Sequence, residues 1–270
     1  MMMRQDLISL LRTLWQELDD NAVQLPSGRT VPVLGEPLIG FAATDDPLFE
    51  QYKDPEVIGP DWLSPKEWLP EAKTVVGIFY PYADELREEV RGEGPVVSAS
   101  ADTGFPQAGK CARKITAALM EALSNAGITV LDPGRDPRFK VTNTPVRSGE
   151  DESLHFCSAW SQRHALYACG LGTFGIHRHL ITEKGCAGTM GSFLIDAAYE
   201  PTPRTYTGVY DNCIMCGACV NRCPAHAITL EYYRNLLRCL QHGDEIEKLG
   251  GSECGRCMFG VPCESRNPSA

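Results

Sequence analysis

The segment CIMCGACVNRCP, residues 213–224, sets four cysteines at the spacing C-x2-C-x2-C-x3-C-P. Thiolates at this spacing ligate iron–sulfur clusters. Cys213, Cys216 and Cys219 lie on one tight loop and can reach three irons of a single cubane. Cys223, read as beginning a helix after the turn, points away and serves a different cluster. Gly217 lets the backbone come close to the cluster sulfides, and Pro224 has no N–H to donate and stiffens the turn. Zinc would call for four ligands in two C-x2-C pairs, which this run does not offer.

Three ligands on one loop need a fourth, and Cys223 needs three partners. The downstream stretch CGRCMFGVPC, residues 254–263, looks at first like a damaged copy of the same motif, with no middle cysteine and its proline ahead of the last cysteine. Counting Cys239 closes the set. Cys213, Cys216, Cys219 and Cys263 form one group, and Cys223, Cys239, Cys254 and Cys257 form the other. The expectation is two [4Fe–4S] clusters with no thiol left over. The alternative leaves Cys239 as an ordinary buried cysteine and the second cluster with three ligands. Cys111, Cys157, Cys169 and Cys186 match no metal spacing and read as small buried residues. Cys157 and Cys169 flank a predicted helix and could line a cofactor pocket.

Twelve cysteines in 270 residues, with no secretory leader at the N-terminus, favour metal binding in a reducing, cytoplasmic setting over a disulfide framework. The opening segment is a packed amphipathic helix, with Leu7, Leu11, Leu14 and Leu18 on one face. Residues 24–72 read as ordered loops with short strands. KTVVGIFYPY (73–82) reads as a buried strand, residues 106–127 as a helix, ITVLD (128–132) as a strand, residues 158–170 as a helix and residues 188–197 as a strand. That order suggests an α/β layer. The Pro- and Thr-rich stretch 197–208 is the candidate linker, which divides the chain into residues 1–205 and a cluster-binding part at 206–270. No apolar run is long enough to span a membrane.

The net charge of −10 falls entirely within the first 100 residues, which hold 8 Lys+Arg against 18 Asp+Glu, while the remainder holds 17 of each. No segment carries the basic excess that nucleic acid requires. The acidic part is an ordinary solvated surface or a docking face for a basic partner.

GLGTFG (170–175) has the form G-x-G-x-x-G, but it follows a helix-like segment and lacks a downstream strand-end acid, so it reads as a glycine turn and not as a dinucleotide site. His164, His177 and His179 flank it and read as scaffold hydrogen-bonding residues or as groups near a cofactor. From WSQRHALYACGLGTFGIHRHLITEKGCAGTMGSFLID through CIMCGACVNRCP and a lone cysteine to CGRCMFGVPC, the order resembles the epoxyqueuosine reductase family and its relatives, the cobalamin-dependent reductive dehalogenases.

The resemblance implies an α+β fold: a nitroreductase-like α/β sandwich followed by a bacterial two-cluster ferredoxin-like part. It also implies the same division of the eight cysteines. Arg163, Gly170, Leu171, Gly172, Gly191 and Ser192 match the family pattern and would bind the cofactor, a base-off corrinoid. The family's catalytic aspartate falls here at Phe156. His155 beside it is the candidate proton donor, since histidine titrates near neutrality. The helical repeat region that helps family members grip tRNA has no counterpart after Cys263. The reading is an iron–sulfur oxidoreductase of this type with a small-molecule substrate and an electron donor of ferredoxin or flavodoxin type. The alternatives are a non-catalytic electron-transfer or activator protein for a partner enzyme, and an epoxyqueuosine reductase acting on tRNA.

Overall fold

A computed structural model describes residues 2–92, 98–251 and 254–270. Its first part comprises α1 (Arg4–Gln16), β1 (Ala22–Gln24), β2 (Thr30–Pro32), β3 (Leu38–Ala43), α2 (Leu48–Gln51), α3 (Pro65–Trp68), β4 (Thr74–Pro81) and α4 (Asp84–Gly92). Then come α5 (Ala99–Asn125), β5 (Val130–Leu131), the hairpin β6 (Val141–Ser148) and β7 (Asp151–Ser158), α6 (Gln162–Ala168), β8 (Gly172–Phe174), β9 (Leu180–Thr182) and β10 (Gly188–Ile195). The cysteine-rich part holds α7 (Ala218–Arg222), β11 (Ile228–Thr229), β12 (Tyr233–Arg234) and α8 (Leu236–Lys248). Among the described residues no helix is long and apolar enough to cross a membrane.

The central sheet has the order β3-β4-β10-β5 with every pairing antiparallel. β4 and β5, joined through α5, are therefore parallel to each other but separated by β10. The expected strand–helix–strand unit is present, with a later strand inserted into it. Every residue of β4 is buried, because helices cover both faces of the sheet. On one face α5 lies close over β10. A Cβ on Gly191 would sit 3.0 Å from Thr116 Oγ1, and Tyr80 and Thr116 share a 2.8 Å hydrogen bond.

On the other face Gly40 and Gly77 are cross-strand partners and leave a notch. The end of α6 fills it: a Cβ on Gly40 would be 2.3 Å from the Cys169 carbonyl, and one on Gly77 would be 3.2 Å from Cys169 Sγ. Cys169, expected to line a pocket, is thereby part of the sheet packing. Cys157 lies under Gly59 and within 3.7 Å of Thr144 Oγ1.

Two elements differ from the sequence reading. The helix expected at 106–127 starts at Ala99, because Ser98 caps it by accepting from the Ala101 N–H at 3.0 Å, and Pro106 lies within it. The β6–β7 hairpin was not foreseen. Pro145 within β6 argues against a strand, but β6 pairs only with β7, and an edge strand tolerates the missing N–H.

The stretch 197–208 is extended and fixed to the layer beneath it. Thr202 exchanges hydrogen bonds with Phe41, Tyr206 donates to the Tyr167 carbonyl at 2.5 Å, and Arg204 pairs with Asp46. One apolar core runs through both parts of the chain. Tyr82, Phe105 and Phe259 form a stack, with centroids 4.6 Å and 5.6 Å apart, that joins the end of β4, helix α5 and the segment after Cys257.

This shared core predicts a single cooperative unfolding transition. Phe259→Ala, at a fully buried position in the stack, should cost about 3–5 kcal/mol by chemical denaturation and keep the transition single. Separate transitions reported by probes in the two parts would contradict it.

Candidate iron–sulfur centre

The cluster motif forms a loop that enters a short helix. Gly217 adopts φ +73° and caps α7, which contains Cys219. Cys223 ends this helix, whereas the sequence reading had it begin one. The cause is Pro224, which pushes the preceding residue out of helical backbone, and Cys223 has φ −78° and ψ 108°. The Ala227 N–H donates to its sulfur at 3.3 Å.

Cys239 lies in the first turn of α8. Asn235 caps that helix through the Arg238 N–H and also donates to the Glu152 carbonyl at 2.9 Å. The Leu236 N–H donates to Ser153 Oγ, and Arg238 pairs with Asp151. The unforeseen hairpin therefore sets the position of Cys239. Cys254 precedes and Cys257 lies within a single helical turn, Arg256–Met258, capped by Gly255 with φ +59°.

Cys263 is brought back by backbone pairing. The Cys186 N–H donates to the Cys263 carbonyl at 2.8 Å, and the Ala187 N–H donates to the Glu264 carbonyl at 3.1 Å. Gly185 permits this approach. Its φ is +78°, and a Cβ there would lie 2.3 Å from the Glu264 carbonyl oxygen. Glu264 is buried and anchored by Arg91 at 2.9 Å and by the Gly260 N–H at 2.6 Å.

The eight cysteines sort into two groups of four. Cys213, Cys216, Cys219 and Cys263 line one partly open pocket together with Ile176 and His177. Burial pushes the Cys219 thiol up to about 12, and the charges of Cys263, Cys213 and Cys216 add to this. Cys257 is likewise pushed up to about 12 by burial; Arg234 opposes the shift, and Cys254, Cys239 and Cys223 add to it. Each group offers four sulfur donors, the ligand set that fits a cubane of iron and sulfide.

Cations surround the second group. Arg234 donates to Cys239 Sγ at 2.9 Å and to the His177 carbonyl at 3.4 Å. Arg163, at the start of α6, is held down to about 10 by burial and then by Arg234, while Cys257 and Cys239 act in the opposite sense. Among the described residues its guanidinium makes no hydrogen bond.

The other positions assigned to a cofactor serve the scaffold. Gly170 is the left-handed residue after α6, against the Thr202 and Pro203 carbonyls. Leu171 packs on Gly40, Gly172 lies against the Ile181 carbonyl, and Gly191 lies under α5. Ser192 is 1% exposed, accepts from Trp160 Nε1 at 2.9 Å and donates to Gln162. Each of these five positions makes contacts within the scaffold. GLGTFG runs from a helix into a strand, the reverse of the order a dinucleotide site requires.

His155 is half-buried, with Nε2 3.2 Å from the Ile58 carbonyl, and Phe156 beside it is exposed. His164 Nδ1 and Ser161 Oγ share a 2.8 Å hydrogen bond, and the ring packs between Tyr52 and Phe174. Loss of solvent lowers it to about 3, helped by Arg163, Arg178 and His155. His179 is also held well below the usual range, by burial and then by Arg163.

The sequence reading missed Cys186. It is 2% exposed, and its sulfur lies 3.9 Å from that of Cys263. Cys263 is lowered to about 5, first by the Cys186 hydrogen bond and, against burial, by His177, while Cys186 is raised well above the usual thiol range. No spacing signal links residues 77 positions apart.

A family description, 4Fe-4S binding domain, matches residues 206–229. No curated protein sequence matches the chain. Among solved structures it is similar to epoxyqueuosine reductase from Streptococcus thermophilus, at 15% identity and a TM-score of 0.59, covering 99% of this chain and 68% of that one. It is also similar to a catabolic reductive dehalogenase in complex with 3-bromo-4-hydroxybenzoic acid, at 16% identity and a TM-score of 0.55, over 97% of this chain and 36% of that one. A reductive dehalogenase studied for B12-dependent dehalogenation matches at 17% identity and 0.53, over 83% and 29%. The likeness is one of fold, as the sequence resemblance implied, and the chain spans about a third of each dehalogenase.

Two outcomes follow from this geometry. Gly185→Ala should displace the Cys263 segment and lower the iron bound per chain by about half, read by iron analysis after anaerobic purification. For His164, a folded-state value below the unfolded one means the unfolded chain binds more protons as pH falls from about 6.5 toward 3. Stability contributed by neutral His164 is therefore complete above that window and lost on acidification. His164→Phe should flatten this limb of a stability–pH profile.

Proposed function

We propose that this chain is an iron–sulfur oxidoreductase with two [4Fe–4S] clusters, which supplies electrons singly to an acceptor held by residues 1–205. The observation that carries this reading is the sorting of eight cysteines from separate stretches into two groups of four. When bound, the clusters would supply one-electron reducing power beside the upstream layer. Cys213, Cys216, Cys219 and Cys263 would hold one, and Cys223, Cys239, Cys254 and Cys257 the other. Arg163 and Arg234 place positive charge beside the second group, which favours the anionic ligands and an added electron. We read the helix-covered sheet as nitroreductase-like.

His155 is the candidate proton donor. A carbonyl only accepts, so Nε2 carries the hydrogen toward Ile58, and a proton available for transfer would sit on Nδ1. The absence of any basic excess supports a small substrate over a nucleic acid, and a ferredoxin- or flavodoxin-type protein is the electron source we favour.

Two finer readings draw on the solved structures. Likeness to the B12-dependent dehalogenase favours a corrinoid as the acceptor, although Gly170, Leu171, Gly172, Gly191 and Ser192 are occupied by scaffold contacts. Likeness to epoxyqueuosine reductase favours that activity.

Anaerobically purified protein should hold about eight irons per chain with equivalent sulfide; fewer than about six would remove the two-cluster reading. Cobalt retained after reconstitution with cobalamin would support the corrinoid, and none retained would eliminate it. A strain lacking the gene but with normal queuosine in its tRNA would eliminate the epoxyqueuosine activity.

A further inference from the structure

Three side chains from distant parts of the chain meet at Cys263. Sulfur and nitrogen atoms of His177, Cys186 and Cys263 all lie within 4.8 Å of one another, and all three residues are buried. His177 Nε2 is 3.4 Å from Cys263 Sγ, and Cys186 Sγ is 3.9 Å from the same sulfur.

The direction of the histidine contact is set by its other nitrogen. The His179 backbone N–H donates to His177 Nδ1 at 3.1 Å, so Nδ1 is the acceptor and Nε2 carries the hydrogen. That hydrogen points at the Cys263 sulfur. The loop is shaped to hold the ring there. A Cβ on Gly175 would lie 2.6 Å from the imidazole, so only glycine leaves it room. Gly175 and His179 are joined by a 2.9 Å backbone bond, and Arg178 takes a positive φ of 66° to close the turn. Gly175, the last glycine of GLGTFG, and His179 thus act together on one histidine. Cys186 is placed by the same backbone pairing that brings Cys263 into the group, so its S–H has Cys263 within reach.

Resting on the two-cluster reading above, we propose that His177 and Cys186 are a pair of hydrogen-bond donors to the Cys263 ligand sulfur and hold the reduction potential of that cluster above the value its thiolates alone would give. The physical reason is charge. Reduction adds an electron to an anionic centre, and donors on a ligand sulfur withdraw density and stabilise the more negative state. The second cluster's donor on Cys239 is Arg234, so the two centres are tuned by different residues. The pair are positioning residues and do not themselves ligate iron.

The test is an anaerobic redox titration monitored by electron paramagnetic resonance, on intact protein, for wild type, His177→Phe, His177→Gln, Cys186→Ala and the His177→Phe/Cys186→Ala double variant. The expected result is a fall in the midpoint potential of one cluster in His177→Phe and in Cys186→Ala, and a larger fall in the double. The other cluster stays unchanged, iron content stays at the wild-type level, and His177→Gln, which keeps an N–H, recovers the shift. Unchanged potentials with iron retained would overturn the proposal. So would loss of one cluster from both His177→Phe and Cys186→Ala, which would make the pair necessary for assembly. Cys263→Ala separates this from the underlying reading: if it loses no iron, the ligand assignment fails, and if Cys186→Ala loses iron in its place, Cys186 is the ligand and the donor role is void.

Discussion

The cysteine-rich part depends on the return of residues 263–265 onto residues 185–187. Two backbone hydrogen bonds, one glycine without a Cβ and one buried carboxylate make that contact. Closing so long a loop costs conformational entropy, which grows only slowly with length. Buried Phe259 and Val261, packed into the common core, help to offset it. Because the return strand ends beside Cys186, the fourth thiol of the first group arrives already placed against the upstream layer. The cluster-binding region is consequently built into the scaffold.

Charge is the second organising constraint. Burial, and then the neighbouring thiols, push Cys219 and Cys257 upward. The structure places Arg234 and Arg163 at one group, and at the other the hydrogen-bond donors His177 and Cys186. Burial, and then Arg163, holds both His164 and His179 below the usual histidine range.

Much of the scaffold was legible from periodicity and composition. The apolar run at 73–82 is the buried central strand, and the leucine stripe near the N-terminus is a packed helix. Pro145 hid the β6–β7 hairpin, because proline argues against a strand in sequence and is tolerated only at an edge. The stretch 197–208 looked like a linker by composition, but its hydrogen bonds to Phe41 and Tyr167 make it part of the layer. Gly172 and Gly191 are close-packing positions, a property that a glycine in a sequence does not display.

The sequence by itself carried the iron–sulfur signal. The spacing of Cys213, Cys216, Cys219 and Cys223 lies within the stretch that matches a 4Fe-4S binding domain, and a count of thiols named Cys239, Cys254, Cys257 and Cys263 as the expected partners. Local spacing carries this because a cluster samples residues a few positions apart on one loop. Only the tertiary structure decided what surrounds those thiols. Cys186 and His177 reach Cys263, and Arg163 reaches the second group, through chain reversals set by Gly185, Gly175 and the notch at Gly40 and Gly77. Contacts between residues so far apart in the chain follow from packing, which no local pattern encodes.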